Sequence, residues 1–181
     1  MTKTKRVFFA VNLPEKVKEE IRNTMLGAIP SDKWRTVKPE NLHVTIRFIG
    51  YWSEDEIEKL NEKVSGLREC KGFEAEIKGM GHFRNRILWI GIEKGTEEFN
   101  LLNKKLYEAL GVSEERFHAH ITLAKNKDSK ARETYELIEI LREKYFKRQI
   151  IVKSLDLMES VLYRTGPEYT KLFSTEFKEA R

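Results

Sequence analysis

The sequence has very little of several things, and each shortage closes off a class of protein. One residue in 181 is cysteine, Cys70, so no internal disulfide framework and no thiolate metal cluster is open to the chain. Prolines number four beside an abundance of Lys and Glu, a balance also found in thermophile proteins. Long apolar runs are missing too. After the basic opening from Met1 to Arg6, the stretch Val7 to Val11 ends at Asn12, too short for a signal h-region or a bilayer span. A cytoplasmic protein with no membrane partner is therefore expected.

What is present describes a globular domain. Apolar residues at 40% and charged residues at 35% exclude a mainly disordered chain and predict a heavily charged surface. The length suits one compact domain, or two small lobes sharing an interface. Lys plus Arg exceed Asp plus Glu by five, 34 minus 29, which favours an acidic partner in a general electrostatic sense.

Two of the four histidines stand in matching surroundings. Leu42-His43-Val44-Thr45-Ile46-Arg47-Phe48 and Ala119-His120-Ile121-Thr122-Leu123-Ala124-Lys125 are both His-x-Thr set in β-branched, apolar runs, 77 residues apart (120 minus 43). On a strand, side chains alternate between faces, so His43 and Thr45 share one face, as do His120 and Thr122. Along each strand the pair stands about 6.5 Å apart, a gap that a phosphate fits.

The chemistry of that arrangement is phosphodiester displacement. One group must take a proton from the attacking nucleophile, and another must give one to the departing oxygen. Imidazole titrates nearest neutrality, so one ring can be neutral and the other protonated at working pH. Threonine hydroxyls donate to the non-bridging oxygens. The scheme requires no metal and no cofactor. His118 and His120 form a His-x-His pair, but no carboxylate or thiolate with ligand spacing accompanies it.

The paired motifs, the opening Val7-Phe8-Phe9-Ala10-Val11-Asn12-Leu13-Pro14, the Leu42 to Gly50 run, Gly79 to Phe83 with Trp89, and the closing Glu159-Ser160 with Gly166-Pro167-x-Tyr169-Thr170 resemble the two-histidine phosphoesterases. The RNA 2′,3′-cyclic phosphodiesterase branch, also called 2′-5′ RNA ligase, is the most similar. The resemblance implies an α+β, bilobal fold with antiparallel sheets around a central groove and helices outside. It also implies opening of an RNA 2′,3′-cyclic phosphate to a 2′-phosphomonoester, with His120 activating water and His43 protonating the 3′ oxygen. Lys125 stands where this family is expected to carry a phosphate-gripping arginine, and Phe9, Phe48 and Tyr169 are implied as nucleobase contacts. Two rival readings are 2′-5′ ligation to a 5′-hydroxyl end and a non-catalytic module that binds RNA ends.

Taken in order, the chain predicts a strand at Val7 to Leu13, a helix opened by Pro14, a loop from Ser31 to Asn41, and the first motif strand. A helix capped by Ser53 and Glu56 follows, then a strand from Phe73 wet on one face, and a turn over Gly79 to Asn85. The second half predicts a strand at Arg86 to Ile92, a helix at Thr96 to Leu110 and the second motif strand. Next come a helix over 130–146 on Tyr135, Ile138, Leu141 and Tyr145, and final strands with a turn at Arg164 to Glu168. The two halves share one order of elements. A single bilobal domain over 1–181 is expected, with pseudo-repeats at roughly 6–79 and 86–162 and a C-terminal strand at 170–177.

Parity assigns two further residues. Arg47 matches His43 and Thr45, which makes it a candidate phosphate contact. Lys125 has the wrong parity with His120 and reaches the site only if the strand bulges near Ala124. Trp34, with Arg35 and Lys38, forms a basic and aromatic approach suited to a base and a backbone phosphate. A monomer acting on RNA ends is expected.

Overall fold

The computed structural model describes residues 4–179, so Met1 to Lys3 of the basic opening lie outside the described residues. Among the described residues nine strands form one sheet, and four α-helices cover it. In chain order the strands and helices are β1 (Thr4–Asn12), α1 (Glu15–Thr24), β2 (Trp34–Thr36), β3 (His43–Ser53), α2 (Glu54–Val64), β4 (Phe73–Phe83), β5 (Ile87–Lys94) and α3 (Thr96–Leu110). They continue with β6 (His120–Asn126), α4 (Ala131–Glu143), β7 (Lys147–Val152), β8 (Ser154–Tyr163) and β9 (Gly166–Glu176).

Local chemistry accounts for the helices. The free amides at the start of α2 are met by a capping box, in which the Glu56 carboxylate accepts from the Ser53 backbone N–H at 2.7 Å. Gly111, at φ +67°, ends α3 in the left-handed conformation. α4 buries Thr134, Leu137, Ile138 and Leu141, while Tyr135 is exposed. The expected stripe through Tyr135 and Tyr145 is therefore displaced, because Phe146, just beyond the helix, fills the place in the core.

The strand order is β7-β4-β5-β6-β3-β1-β8-β9, with β2 added beside β6 and all pairings antiparallel. The order is palindromic in character. β5 and β6 correspond to β1 and β3, yet β4 from the first half of the sequence lies beside β5, and β8 from the second half lies beside β1. At the centre, β3 and β6 meet only through Val44 and Ile121 and then diverge. That divergence opens a groove on one face. The other face carries Val44, Ile46, Ile121 and Leu123 into the main core with the apolar stripes of the helices.

Four expectations change. The stretch expected as a loop over Ser31 to Asn41 contains β2, a three-residue strand held by β6 rather than by any propensity of its own. The turn expected over Gly79 to Asn85 is mostly strand. β4 continues to Phe83, because the positive φ of Gly79 (+87°) absorbs a register shift between Ile77 and Met80 without ending the pairing. Strand β4 is also less wet than its alternation suggests, since Glu76 is buried with Lys147 at 3.3 Å. The final turn is tighter than expected, leaving only Arg164 and Thr165 between β8 and β9.

Candidate active site

A cavity of about 440 Å³ occupies the groove, and His43, Thr45, His120 and Thr122 line it together. The antiparallel register through Val44 and Ile121 sets His43 across from Thr122 and Thr45 across from His120. The two imidazoles thus take diagonal corners of a square, with a hydroxyl at each of the others.

Each ring is oriented in the same way. Nδ1 of His43 donates to the Asn41 carbonyl at 2.6 Å, and Nδ1 of His120 donates to the His118 carbonyl at 2.7 Å. A carbonyl can only accept, so this contact places the proton of a neutral ring on Nδ1 and leaves Nε2 as the reactive atom. The Thr45 hydroxyl donates to Nε2 of His43 at 2.9 Å. Nε2 of His120 has no hydrogen-bond partner among the described residues. Asn41 also donates through its side chain to the Pro167 carbonyl at 2.9 Å, which ties His43 to the start of β9 at the cavity rim.

Burial pushes His43 from its ordinary 6.5 down to about 4, opposed by the Asn41 carbonyl and reinforced by His120. His120 is also lowered, chiefly by burial, against the raising effect of the His118 carbonyl. Both rings are therefore neutral near pH 7 when only the protein's own groups act on them. Burial raises the Tyr169 phenol.

Two bulges decide which neighbours reach the cavity. In β3, Phe9 pairs with Arg47 and Ala10 with Thr45, so Ile46 is an extra residue. In β6, Leu88 pairs with Ala124 and Trp89 with Thr122, so Leu123 is the extra one. Beyond each bulge the faces exchange. Lys125 turns into the cavity, as its expected role required. Arg47 turns away from it. Its guanidinium is buried and donates to the Ser113 carbonyl at 2.9 Å beside Glu115 at 3.5 Å, where it anchors the segment before β6. The same bulge carries Phe48, which simple alternation would assign to the core face, into the cavity wall.

Of the expected nucleobase contacts, Phe48 and Tyr169 line the cavity, while Phe9 and Trp34 do not. Phe9 is fully buried in the main core, and its neighbour Phe8 is the one on the groove face, 5.2 Å from the His43 ring and 4.9 Å from Tyr169. Trp34 points into the core because it alternates with Arg35, whose side of β2 faces the groove. Around His120 a second aromatic group gathers: Phe83 at 4.8 Å and Trp89 at 6.3 Å, with His118 edge-on to Phe83 and tilted against Trp89. A Cβ on Gly81 would fall inside the Trp89 indole, so only glycine lets that ring lie flat there. Sequence reasoning missed Phe8, Asn41, Phe83 and Arg116; for Asn41 a signal existed, two residues before a motif histidine.

Two His-x-Thr strands brought to one cavity by corresponding halves of a sheet define a two-histidine phosphoesterase. The sequence model of the 2′-5′ RNA ligase superfamily matches residues 8–163, and the chain belongs to that family. Among its relatives, the RNA 2′,3′-cyclic phosphodiesterase of Aeropyrum pernix is 33% identical over 153 residues, covering 78% of this chain and 85% of that protein. The protein of the same name from Methanocaldococcus jannaschii is 31% identical over 173 residues, covering 91% and 96%. Among solved structures, apo LigT of E. coli superposes with a TM-score of 0.80 at 23% identity, covering 98% of this chain and 99% of that one, a likeness that concerns the fold.

Proposed function

We propose that this protein is an RNA 2′,3′-cyclic phosphodiesterase that hydrolyses a terminal cyclic phosphate to a 2′-phosphomonoester. The observation that carries this reading is the diagonal square of two imidazoles and two hydroxyls in one cavity. The names of the relatives described above support the substrate class.

In this mechanism the cyclic phosphate sits between the rings. Nε2 of His120, neutral and open to the cavity, takes a proton from water as the water oxygen bonds to phosphorus. The P–O3′ bond breaks on the opposite side, and Nε2 of His43 gives its proton to O3′. His43 needs that proton first, and burial alone opposes it. The bound phosphate anion supplies the favourable charge, so the acid becomes loaded as the substrate enters. The hydroxyls of Thr45 and Thr122 and the Lys125 ammonium hold the non-bridging oxygens, where charge persists through the transition state. Phe48 and Tyr169 receive the terminal base by stacking, backed by the buried ring of Phe8, which packs against both.

The test is product analysis on an RNA oligomer with a 2′,3′-cyclic end, in EDTA. Hydrolysed ends carrying a 2′-phosphate are the expected result. Joined strands would identify ligation, retention without turnover would identify an end-binding module, and loss of turnover only with chelator would require a metal. No helix among the described residues is long and apolar enough to cross a membrane. We place the enzyme in the cytoplasm as a monomer, which size-exclusion chromatography and fractionation check.

A further inference from the structure

Lys125 has a partner that the scheme above does not use. Arg35 lies directly across from it in the β2–β6 pairing, and both line the cavity. Like charges placed opposite each other on neighbouring strands repel and destabilise the pairing. Neither has a carboxylate within ion-pair distance among the described residues. Arg116, held on the segment that Arg47 anchors, also lines the cavity and also lacks such a partner. By contrast, Lys38 at the same rim is paired with Glu168 at 3.6 Å.

A cyclic phosphodiester carries one negative charge and balances one of these three cations. The remaining two are exposed and free to meet another anion. Lys125 stands three residues beyond Thr122 on β6, at most about 10 Å at strand rise, with Arg35 across from it on β2, and both line the cavity. That is the reach of one nucleotide, from the phosphate on its 2′ and 3′ oxygens to the phosphate on its 5′ oxygen.

We propose that Arg35 and Arg116, beside Lys125, form a second phosphate station that binds the 5′-phosphate of the nucleotide whose cyclic phosphate lies between the histidines. This rests on the hydrolase reading and narrows its substrate to nucleotides that carry a 5′-phosphate group. That group is either the linking phosphodiester of an RNA strand or the terminal phosphate of a free nucleotide. The guanidinium fork of Arg35 suits such an oxygen pair better than a lysine would.

Three substrates separate the possibilities: adenosine 2′,3′-cyclic phosphate, the same compound with a 5′-phosphate, and a short RNA ending in a cyclic adenosine. The wild-type protein should hydrolyse the second and third with about tenfold higher kcat/KM than the first, the worth of one charge-assisted contact. Arg35→Ala should remove most of that advantage, lowering kcat/KM for the second and third substrates about tenfold more than for the first, and Arg116→Ala should act in the same direction. For the RNA, Arg35→Ala should also flatten the slope of log affinity against log salt by about 0.7. A larger gain for the RNA than for the 5′-phosphorylated nucleotide assigns the station to strands, and the reverse assigns it to free nucleotides. Equal rates on all three, or an advantage that survives both substitutions with unchanged Tm, would overturn the station. If none of the three is hydrolysed, the hydrolase reading fails, and calorimetric binding of the same compounds decides the station alone: equal affinity with and without the 5′-phosphate sinks it.

Discussion

Phe48 and Lys125 occupy the same place in two strands, each five residues beyond its motif histidine (48 minus 43, 125 minus 120) and each turned into the cavity by a bulge at the third. One wall therefore presents a stacking ring and the other a cation at equivalent points around the phosphate. Lys125→Ala should raise KM for a cyclic-phosphate substrate about tenfold, the scale of one charge-assisted contact, and Lys125→Arg should restore it. Steady-state kinetics of the two variants checks this.

The two imidazoles act as one unit in the proposed mechanism. His43→Ala and His120→Ala should each lower kcat by about a thousandfold, within the range for a lost general acid or base. The double variant should fall by less than a further tenfold, because removing either partner already disables the pair. Single-turnover rates on one cyclic-phosphate substrate give the comparison, and multiplicative losses would show two independent roles.

Acid sensitivity follows from the depressed His43. Its folded value of about 4 lies below the unfolded 6.5, so the unfolded chain binds the proton more readily. Stability from this group is present above pH 6.5 and is lost as pH falls towards 4, by about 3 kcal/mol at most. His43→Gln should flatten the fall of Tm between pH 6.5 and 4. An inert phosphate ester should move the His43 titration upward in an NMR experiment, since the anion favours the imidazolium.

Arg47 serves the cavity from behind. Arg47→Ala removes a buried charge-assisted contact to the Ser113 carbonyl and leaves that carbonyl short of a donor. A loss of about 2 kcal/mol is expected, together with faster proteolysis between Gly111 and Ala119. KM should rise more than kcat falls, because the segment bearing Arg116 and His118 loosens while the histidine square stays in place.

Gly81→Ala tests the second aromatic group. The added methyl overlaps the Trp89 indole, so the ring must shift or the strand must bend, at a cost of about 1–3 kcal/mol. A lower Tm with altered tryptophan fluorescence is the expected result.

Much of this was legible in the residues. The repeated His-x-Thr, the Ser53–Glu56 cap and the stop at Gly111 are local signals, read over a few positions. What escaped depends on partners distant in sequence. Parity assigned Arg47 to the cavity, and only the pairing of β3 with β1 inserts the bulge that turns it away and brings Phe48, expected there from the family resemblance alone, into the wall. The order of Trp34 and Arg35 has meaning only once β2 lies on β6. Phe8 and Phe9 were indistinguishable because β1 is buried on both faces, so no alternation of polar residues marks the groove side.

The crossing of β4 to β5 and of β8 to β1 makes each half of the chain the missing edge of the other. A polypeptide cut between Arg84 and Arg86 should give two fragments that aggregate when made separately and recover activity when made together. Simple excision cannot free either half, because neither one owns a complete sheet.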